Sequence, residues 1–224
     1  MKRSEINEQI RAAIIFFKKM NFLLPEWATW KPEEWKGKSS EASEIIENML
    51  GWDLTDFGSG KFHDRGLLLF TLRNGNPQRD NKTYAEKVMI VEENQETPMH
   101  FHWSKMEDII NRGGGNLVVE LFNSDENEKP ADTNVEVSID GLRKNFSAGS
   151  RIVLNPGQSI CFEPGMYHRF YGESGKGKVL LGEVSAVNDD KNDNRFLEKL
   201  GRFPEIVEDE PPLHLLVSEY QNFV

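Results

Sequence analysis

The chain has 224 residues, enough for one large domain with a substantial core, since domains usually contain roughly 100–200 residues. Its 27 Lys and Arg residues against 37 Asp and Glu residues give a formal charge of −10, which repels a nucleic-acid backbone or an anionic membrane. With 38% apolar and 29% charged residues, the composition is that of an ordinary globular protein. We therefore expect neither nucleic acid nor a membrane among its partners.

The cysteine content and the N-terminus both bear on the compartment. The single cysteine, Cys161, cannot form an internal disulfide, which suits a reducing environment. The first ten residues are largely charged or polar, and the uncharged run at residues 12–17 is too short for a signal-peptide core or a membrane span. We expect a cytoplasmic protein.

The first elements are predicted to be helical. Apolar residues recur at three- and four-residue spacing through residues 6–17, which places them on one helical face, and Ser4 is a suitable N-cap. A second helix is predicted for residues 41–50, with Gly51 as the left-handed residue that ends it. We expect residues 1–60 to form a helical arm.

From Gly66 onward the pattern changes to short apolar or alternating runs, separated by Gly, Pro, Asn and Asp every eight to twelve residues. This pattern is typical of an antiparallel sandwich or barrel. It predicts a single domain, with a β-barrel over residues 61–187 and an acidic, proline-containing wrap over 188–224. The predicted strands are 66–73, 86–92, 98–103, 116–122, 134–139, 151–154, 159–163, 167–172 and 178–185.

The run PMHFHWSKME contains the first candidate metal ligands. His100 and His102 are two residues apart, so on a strand they project from one face while Phe101 and Trp103 point to the other. A turn after the strand can bring Glu107 back beside the two imidazoles. Such a mixed nitrogen and oxygen ligand set suits a first-row divalent ion such as manganese, iron, nickel or zinc.

A second segment, residues 155–170, supplies a further imidazole. Gly157 permits a tight turn, Pro164 and Gly165 form another, and His168 then opens a new strand. We expect His168 to face the first histidine pair across the barrel. A site with four protein ligands would leave two octahedral positions for substrate oxygens or water.

The first of these segments resembles the first motif of the cupin superfamily. It reads His100-x-His102-x4-Glu107-x6-Gly114, and Glu93–Asn94 stands where the motif has its leading glycine. The resemblance implies a mainly β protein with a cupin-type antiparallel β-barrel, or jelly roll, to which the N-terminal helical arm is attached.

The second segment resembles the second cupin motif. It reads Gly157-x6-Pro164-Gly165-x2-His168-x3-Gly172, so it departs from the motif in the Pro-Gly spacing and in the final residue, which is usually asparagine. These departures concern turns and leave the ligands intact.

Nearly the whole chain resembles the D-lyxose isomerase family of bacteria. The resemblance is carried by Met1–Asn7, Pro98–His102, Gly182–Ser185 and Asn188–Phe196. It implies an enzyme that interconverts D-lyxose and D-xylulose, and D-mannose and D-fructose, by moving hydrogen between C1 and C2 of the open-chain sugar. It also implies a divalent metal, preferably Mn²⁺, and a free sugar as the partner. We expect a homodimer.

The sequence offers several candidates for proton transfer and substrate contact. Glu183 shares a strand face with Leu181 and Ser185, so its carboxylate is expected to point into the barrel, and we select it as the base. Lys105, between two expected metal ligands, is the second catalytic candidate. Lys87, on a preceding strand, is expected to hold a substrate hydroxyl.

The polar run after the last predicted strand is a further candidate for sugar binding. Asp189, Asp190, Asp193 and Arg195 offer directional hydrogen bonds to hydroxyl groups. From this run we select Asp190 and Arg195 as substrate-binding residues.

Other functions are compatible with the same ligands, because a fold does not determine a reaction. A cupin dioxygenase or decarboxylase would need a cavity suited to an aromatic compound or a diacid. A phosphosugar isomerase would need a basic phosphate pocket, and a non-catalytic sugar-binding cupin would tolerate an incomplete site. The intact ligand set and the acidic composition favour an isomerase of a neutral sugar.

Overall fold

The computed structural model describes residues 1–189, 192–201 and 204–224. Helices α1 (Arg3–Lys19) and α2 (Ser43–Glu47) precede the strands, and short 3₁₀ helices occupy Glu26–Thr29, Pro32–Trp35 and Tyr220–Asn222. In this part of the chain, no helix has the length and apolar character needed to cross a membrane. The strands are β1 (Gly51–Thr55), β2 (Leu67–Arg73), β3 (Tyr84–Val91), β4 (Thr97–Phe101), β5 (Glu107–Gly114), β6 (Leu117–Ser124), β7 (Pro130–Ala131), β8 (Val135–Ile139), β9 (Leu142–Phe146), β10 (Arg151–Leu154), β11 (Ser159–Phe162), β12 (Met166–Gly172), β13 (Val179–Ala186) and β14 (Arg195–Phe196).

The strands form two antiparallel sheets around a common core, which confirms the predicted mainly β, cupin-type barrel. Within the described residues, the larger sheet has the order β1-β2-β3-β13-β5-β11-β8-β9. The smaller sheet has the order β10-β6-β12-β4-β14, and β7 pairs with β6. Each strand predicted from residue 66 onward overlaps an observed strand.

Helix α1 covers part of the outer face of the larger sheet. In β2, Leu67 and Leu69 belong to the core between the sheets, whereas Leu68 and Phe70 pack with α1. Burial on both faces explains why this strand is a continuous apolar run without alternation. Phe17 of α1 stacks on Trp52 of β1, with ring centroids 6.1 Å apart, so the arm is joined firmly to the barrel.

Within the described residues, five strands were not predicted: the two-residue strands β7 and β14, and three longer strands, β1, β5 and β9, each for a different reason. β1 lies inside the arm that we expected to be wholly helical (residues 1–60), and it pairs with β2 along its whole length. β5 escapes the pattern because its inward positions include the polar Glu107 and Asn111. β9 is an exposed edge strand with few apolar residues. The division of the domain at residues 60 and 187 stays a prediction.

The helix ends also differ from those predicted. The main-chain N–H of Lys2, the N-cap of α1, donates to Glu5 Oε2 at 2.9 Å, so Ser4 is not the cap. The Ser4 hydroxyl instead donates to Asp209 of the C-terminal segment at 2.7 Å. Helix α2 ends at Glu47, and Gly51 opens β1 with a φ of +119°. Tertiary contacts have overridden the local signals at both places.

Candidate active site

Three histidines converge in the interior of the barrel. His100 lies on β4 and His102 directly follows it, while His168 lies on β12, the neighbouring strand of the same sheet. All three are buried, and they offer ligand nitrogens that lie within 4.8 Å of one another. The expectation that His168 faces the pair across the barrel is wrong, because β12 and β4 are hydrogen-bonded neighbours.

The ring orientation of each histidine is set by a main-chain carbonyl. Since a carbonyl only accepts hydrogen bonds, Nδ1 must carry the proton in each ring, and Nε2 keeps its lone pair. Burial and the two neighbouring rings hold the pKa of His100 well below its usual range, which favours the neutral ring. The Nδ1–H groups donate to Pro98 O from His100 (2.7 Å), Asp193 O from His102 (2.8 Å) and Met166 O from His168 (3.0 Å).

Glu107 reaches the histidines from the opposite sheet. It is the first residue of β5, and its Oε1 lies 3.1 Å from His168 Nε2 and 3.4 Å from His102 Nε2. With Nδ1 protonated, these pairs bring together atoms that only accept hydrogen bonds. Among the described residues, His168 Nε2 has no hydrogen-bond partner and is fully buried. Converging lone pairs of this kind fit a cation, so the histidine group could hold a metal ion.

Two turns bring the motifs together. Asn94, where the cupin motif has glycine, has a φ of +59°, in the left-handed region that asparagine tolerates better than most residues. Gly165 has a φ of +79°, and its N–H donates to the His102 carbonyl at 2.8 Å. Asn94 therefore supplies a left-handed turn before β4, and the turn at Gly165 connects the second motif to His102.

A buried cluster of charges adjoins the histidines. Lys105 Nζ lies 2.7 Å from Glu107 Oε2 and 3.1 Å from Glu183 Oε1. Lys87 Nζ lies 3.2 Å from the same oxygen of Glu183, which also accepts a hydrogen bond from the Ser185 hydroxyl at 3.0 Å. Two lysines and two glutamates thus alternate in a charge-balanced chain, in the order Lys87, Glu183, Lys105 and Glu107.

The lysines keep both glutamates ionised. Burial acts to raise the pKa of Glu183, but Lys105 and Lys87 outweigh it, and the pKa is lowered. Burial also acts to raise the pKa of Glu107, but the ammonium group of Lys105 brings this pKa well below its usual range. The site therefore offers two buried carboxylates at neutral pH.

The cavity beside these residues has an empty volume of about 510 Å³, including its part open to solvent. Its polar lining residues include His100 and His102 together with the two lysines and two glutamates described above. The remaining wall is mostly apolar, with Phe57 and Phe196 in edge-to-face contact at 5.8 Å. The other lining residues are Thr55, Leu67, Leu69, Met89, Thr97, Ile109, Phe170 and Asn194.

Asp193 contacts main-chain groups of the protein, whereas we expected it to contact a sugar. Its carboxylate accepts hydrogen bonds from the main-chain N–H groups of Ser104 and Lys105, both at 2.9 Å, and from the Ser104 hydroxyl. Its carbonyl also orients His102. Asp193 therefore braces the loop between His102 and Glu107. The sequence signal was an acidic residue in a polar run, which did not reveal its partners.

Of the two substrate-binding residues predicted in the same run, only Arg195 belongs to the described part of the chain. Arg195 Nε donates to Glu128 at 2.8 Å, and Arg195 is absent from the described residues that line the cavity. Asp190 lies outside the described residues. Both assignments stay predictions. Lys87, Lys105 and Glu183, by contrast, all line the cavity.

Asn188 was missed as a site residue, although it opens the run that carries the family resemblance. Its side-chain oxygen accepts hydrogen bonds from Lys87 Nζ at 2.7 Å and from Lys105 Nζ at 3.4 Å. A single asparagine after a strand resembles an ordinary turn residue, so local sequence could not identify it.

The barrel and its buried histidine group define a protein of the cupin-type fold. L-ribose isomerase of Cellulomonas parahominis, solved with L-psicose, superposes with a TM-score of 0.62 at 14% identity, over 92% of this chain and 98% of that chain. L-ribose isomerase of Acinetobacter sp. DL28, solved with L-ribose, gives a TM-score of 0.59 at 15% identity, with the same coverage. At these identities the likeness concerns the fold.

The sequence comparison identifies the family. The model of the D-lyxose isomerase family matches residues 1–220, and the chain belongs to this family. Proteins named D-lyxose/D-mannose isomerase from Serratia proteamaculans and Escherichia coli O157:H7 are each 51% identical to it, over 100% of both chains. The protein is therefore an enzyme, a sugar isomerase.

Proposed function

We propose that this protein is a divalent-metal-dependent isomerase that interconverts D-lyxose with D-xylulose and D-mannose with D-fructose. The observation that carries the proposal is the convergence of three Nε2 lone pairs and a Glu107 oxygen beside ionised Glu183. The names of the relatives at 51% identity support the choice of sugars.

The metal ligands in this proposal are His100, His102 and His168 through Nε2, and Glu107 through its carboxylate. Nitrogen and oxygen ligands together suit Mn²⁺, which we propose as the native ion. When bound, the ion supplies Lewis-acid polarisation of the sugar carbonyl and stabilises negative charge on its oxygen.

Glu183 acts as the base in this proposal. Its Oε1 is held by Lys105, Lys87 and Ser185, which orients the carboxylate. Among the described residues, Oε2 has a single long contact, with Lys87 Nζ at 3.4 Å. Oε2 takes the proton from C2 of the aldose as the C2–H electrons form the C1–C2 double bond and the carbonyl electrons pass to O1. The carboxyl group then returns a proton to C1, while the proton of the O2 hydroxyl passes to O1 and leaves a carbonyl group at C2.

Lys105 holds the sugar oxygens during this transfer. Its ammonium lies between the two carboxylates, so it can donate to the oxygen that gains negative charge at C1 and later to the oxygen at C2. Lys87 contacts the base and lines the same cavity, where it can donate to a neighbouring hydroxyl.

The proposed pairing of a pentose with a hexose follows from their chemistry. D-Mannose has the same configuration at C2, C3 and C4 as D-lyxose and is longer by one CHOH unit. A site that recognises C1 to C4 therefore accepts both sugars, provided that the cavity has room beyond C4.

A phosphorylated sugar fits the cavity less well. Both lysines that line it are already neutralised by Glu183 and Glu107. Much of the remaining wall is apolar, and a phosphate group against that wall would lose its hydration without a charged partner. This observation favours the free sugar over the phosphosugar alternative.

The test uses metal-stripped protein supplied in turn with Mn²⁺, Co²⁺, Ni²⁺, Zn²⁺ or Mg²⁺ and with a panel of free aldoses and aldose phosphates. NMR detects the ketose product. We expect D-xylulose from D-lyxose and D-fructose from D-mannose, with Mn²⁺ giving the highest rate. Absence of turnover of both sugars with every ion contradicts the proposal, and turnover of phosphosugars alone supports the alternative.

We further propose that the enzyme is a cytoplasmic homodimer. Its lone cysteine, Cys161, suits a reducing compartment. Tyr84 and Val184 lie exposed on the outer face of neighbouring strands, and exposed Met106 is next to them, which supports an apolar contact with a second copy. Light scattering coupled to size exclusion measures the mass, and a monomer at micromolar concentration contradicts the dimer.

A further inference from the structure

One neutral side chain contacts both lysines of the cavity. Asn188 Oδ1 accepts hydrogen bonds from Lys87 Nζ at 2.7 Å and from Lys105 Nζ at 3.4 Å. The contact to Lys87 is shorter than either contact between Lys87 and Glu183. Asn188 is therefore the principal partner of Lys87 in the described structure.

The main chain of Asn188 is held independently of its side chain. The Asn188 N–H donates to Asn74 Oδ1 at 2.9 Å, and Asn74 Nδ2 donates back to the Asn188 carbonyl at 3.0 Å. Asn74 is buried, and its own carbonyl accepts a hydrogen bond from Asn48 Nδ2 at 2.8 Å. This clamp uses only main-chain atoms of Asn188, so it survives a change of the Asn188 side chain.

The lysine positions decide which carboxylate oxygen is open to a substrate. A lysine side chain is flexible and carries a point charge, so it moves toward the nearest acceptor of sufficient strength. Without Asn188 Oδ1, Lys87 would lose its shortest contact and shift toward Glu183 Oε2, which now lies 3.4 Å away. The Asn188 side-chain oxygen therefore holds Lys87 back from Glu183 Oε2.

We propose that Asn188 is a positioning residue of the isomerase, which holds Lys87 and Lys105 so that Glu183 Oε2 stays open to the sugar and Lys105 stays between Glu183 and Glu107. The inference rests on the proposed function, because it assigns proton transfer to Glu183. Asn188 contacts the lysines and acts through them.

The test compares substitutions of two asparagines in the same segment. Asn188→Leu keeps the side-chain volume but removes the acceptor, whereas Asn188→Asp keeps an acceptor oxygen. Asn192→Leu is the matched control, since the Asn192 side chain contacts Asp189 and neither lysine among the described residues. For each variant, kcat and KM for D-lyxose, the Mn²⁺ dissociation constant and the melting temperature are measured.

We expect Asn188→Leu to lower kcat on the order of 10- to 100-fold, since misplacement of catalytic groups by about 1 Å has effects of this size. Its KM and Mn²⁺ affinity should stay within about threefold of the wild-type values. Asn188→Asp should recover most of kcat, and Asn192→Leu should match the wild type. Should Asn188→Leu fail to fold, Asn188→Ser, whose hydroxyl is too short to reach the lysines, takes its place.

The inference is overturned if Asn188→Leu keeps the wild-type kcat, or if its loss consists of a raised KM or weaker Mn²⁺ binding. A crystal structure of Asn188→Leu gives a readout that does not depend on activity. In that structure, a shift of Lys87 Nζ into close contact with Glu183 Oε2 supports the inference, and unchanged positions of both lysines contradict it. Failure of the proposed function is recognised separately, because it is seen in the wild-type protein alone.

Discussion

His168 lies directly opposite His100 in the antiparallel pairing of β12 with β4, and their ring centroids are 4.2 Å apart. Adjacent strands of one sheet thus bring together two motifs that are distant in the chain. Glu107 completes the group from the other sheet. Since the group exists only when both sheets are folded together, metal binding is expected to stabilise the native state.

Replacement of His168 by alanine should therefore remove most of the metal affinity. Because loss of a residue that merely orients a ligand already costs 10–100-fold in affinity, we expect a loss of at least about 100-fold for a ligand. Competition with a chromophoric chelator measures the Mn²⁺ dissociation constant. His63→Ala, at an exposed histidine outside the site, is the control. Equal affinities of the two variants would exclude His168 as a ligand.

Glu183→Gln should abolish most of the turnover while leaving the metal bound. The amide has the size of the carboxylate but cannot take a proton, and general-base catalysis typically contributes about 10²–10⁴-fold. Rates of ketose formation in D₂O and deuterium incorporation at C1 or C2 are measured together. Glu163→Gln, at an exposed position of the second motif, should retain both. Wild-type turnover without deuterium incorporation would favour a hydride shift and remove the base role of Glu183.

Arg3→Met should destabilise the junction between α1 and the C-terminal segment. Arg3 is 1% exposed and contacts Glu208 at 2.7 Å as well as Glu219. Breaking a buried pair costs up to about 5 kcal/mol, but Glu208 is 58% exposed, so we expect about 1–3 kcal/mol. Calorimetry should show a melting temperature lower by about 2–4 °C per kcal/mol.

The effect of Arg3→Met should depend on pH. The hydrogen bond from Arg3 lowers the pKa of Glu208, so this stabilisation is complete above the unfolded glutamate pKa of about 4.3 and is lost as the pH falls through the lower folded value. The difference in melting temperature should therefore be full at pH 7 and smaller below about pH 4. Arg143→Met, at an exposed pair, should change neither value. If the difference in melting temperature between the wild type and Arg3→Met did not change with pH, the effect would be due to packing.

Gly51→Ala should be more destabilising than Gly157→Ala. Both glycines have a positive φ, at +119° and +93°, so alanine is strained at either position by roughly 1–2 kcal/mol. At Gly51 an added Cβ would also overlap the Tyr220 hydroxyl, which donates to the Leu50 carbonyl at 2.7 Å, whereas space is open at Gly157. We expect a further cost of about 1–3 kcal/mol at Gly51, measured by urea unfolding. An equal loss of unfolding free energy in the two variants would rule out the overlap with the Tyr220 hydroxyl as a cause.

The strands and the histidine pair were predictable because they depend on short-range periodicity. Alternation places His100 and His102 on one face whatever the rest of the barrel does. The same rule predicted the inward direction of Glu183, which lines the cavity. β5 escaped because residues selected for chemistry, such as Glu107, replace the apolar side chains that normally mark an inward face.

The contacts around the site were not predictable from local patterns. Asn188 and Asp193 both stand in one polar run, and nothing in their neighbours in sequence separates a lysine contact from a main-chain brace. Arg195, which we predict to contact the sugar, pairs with Glu128. Each of these partners lies more than sixty residues away in the chain and is chosen by sheet pairing.

The amino-acid sequence by itself determined the class of fold, the candidate metal ligands and the inward direction of Glu183, because these follow from periodicity and from the chemistry of side chains. Only the tertiary structure decided that His168 is a neighbour of His100, that Glu107 approaches from the opposite sheet, and that Asn188 contacts both lysines. Strand order and register arise from burial summed over the whole core, and local sequence does not contain that sum.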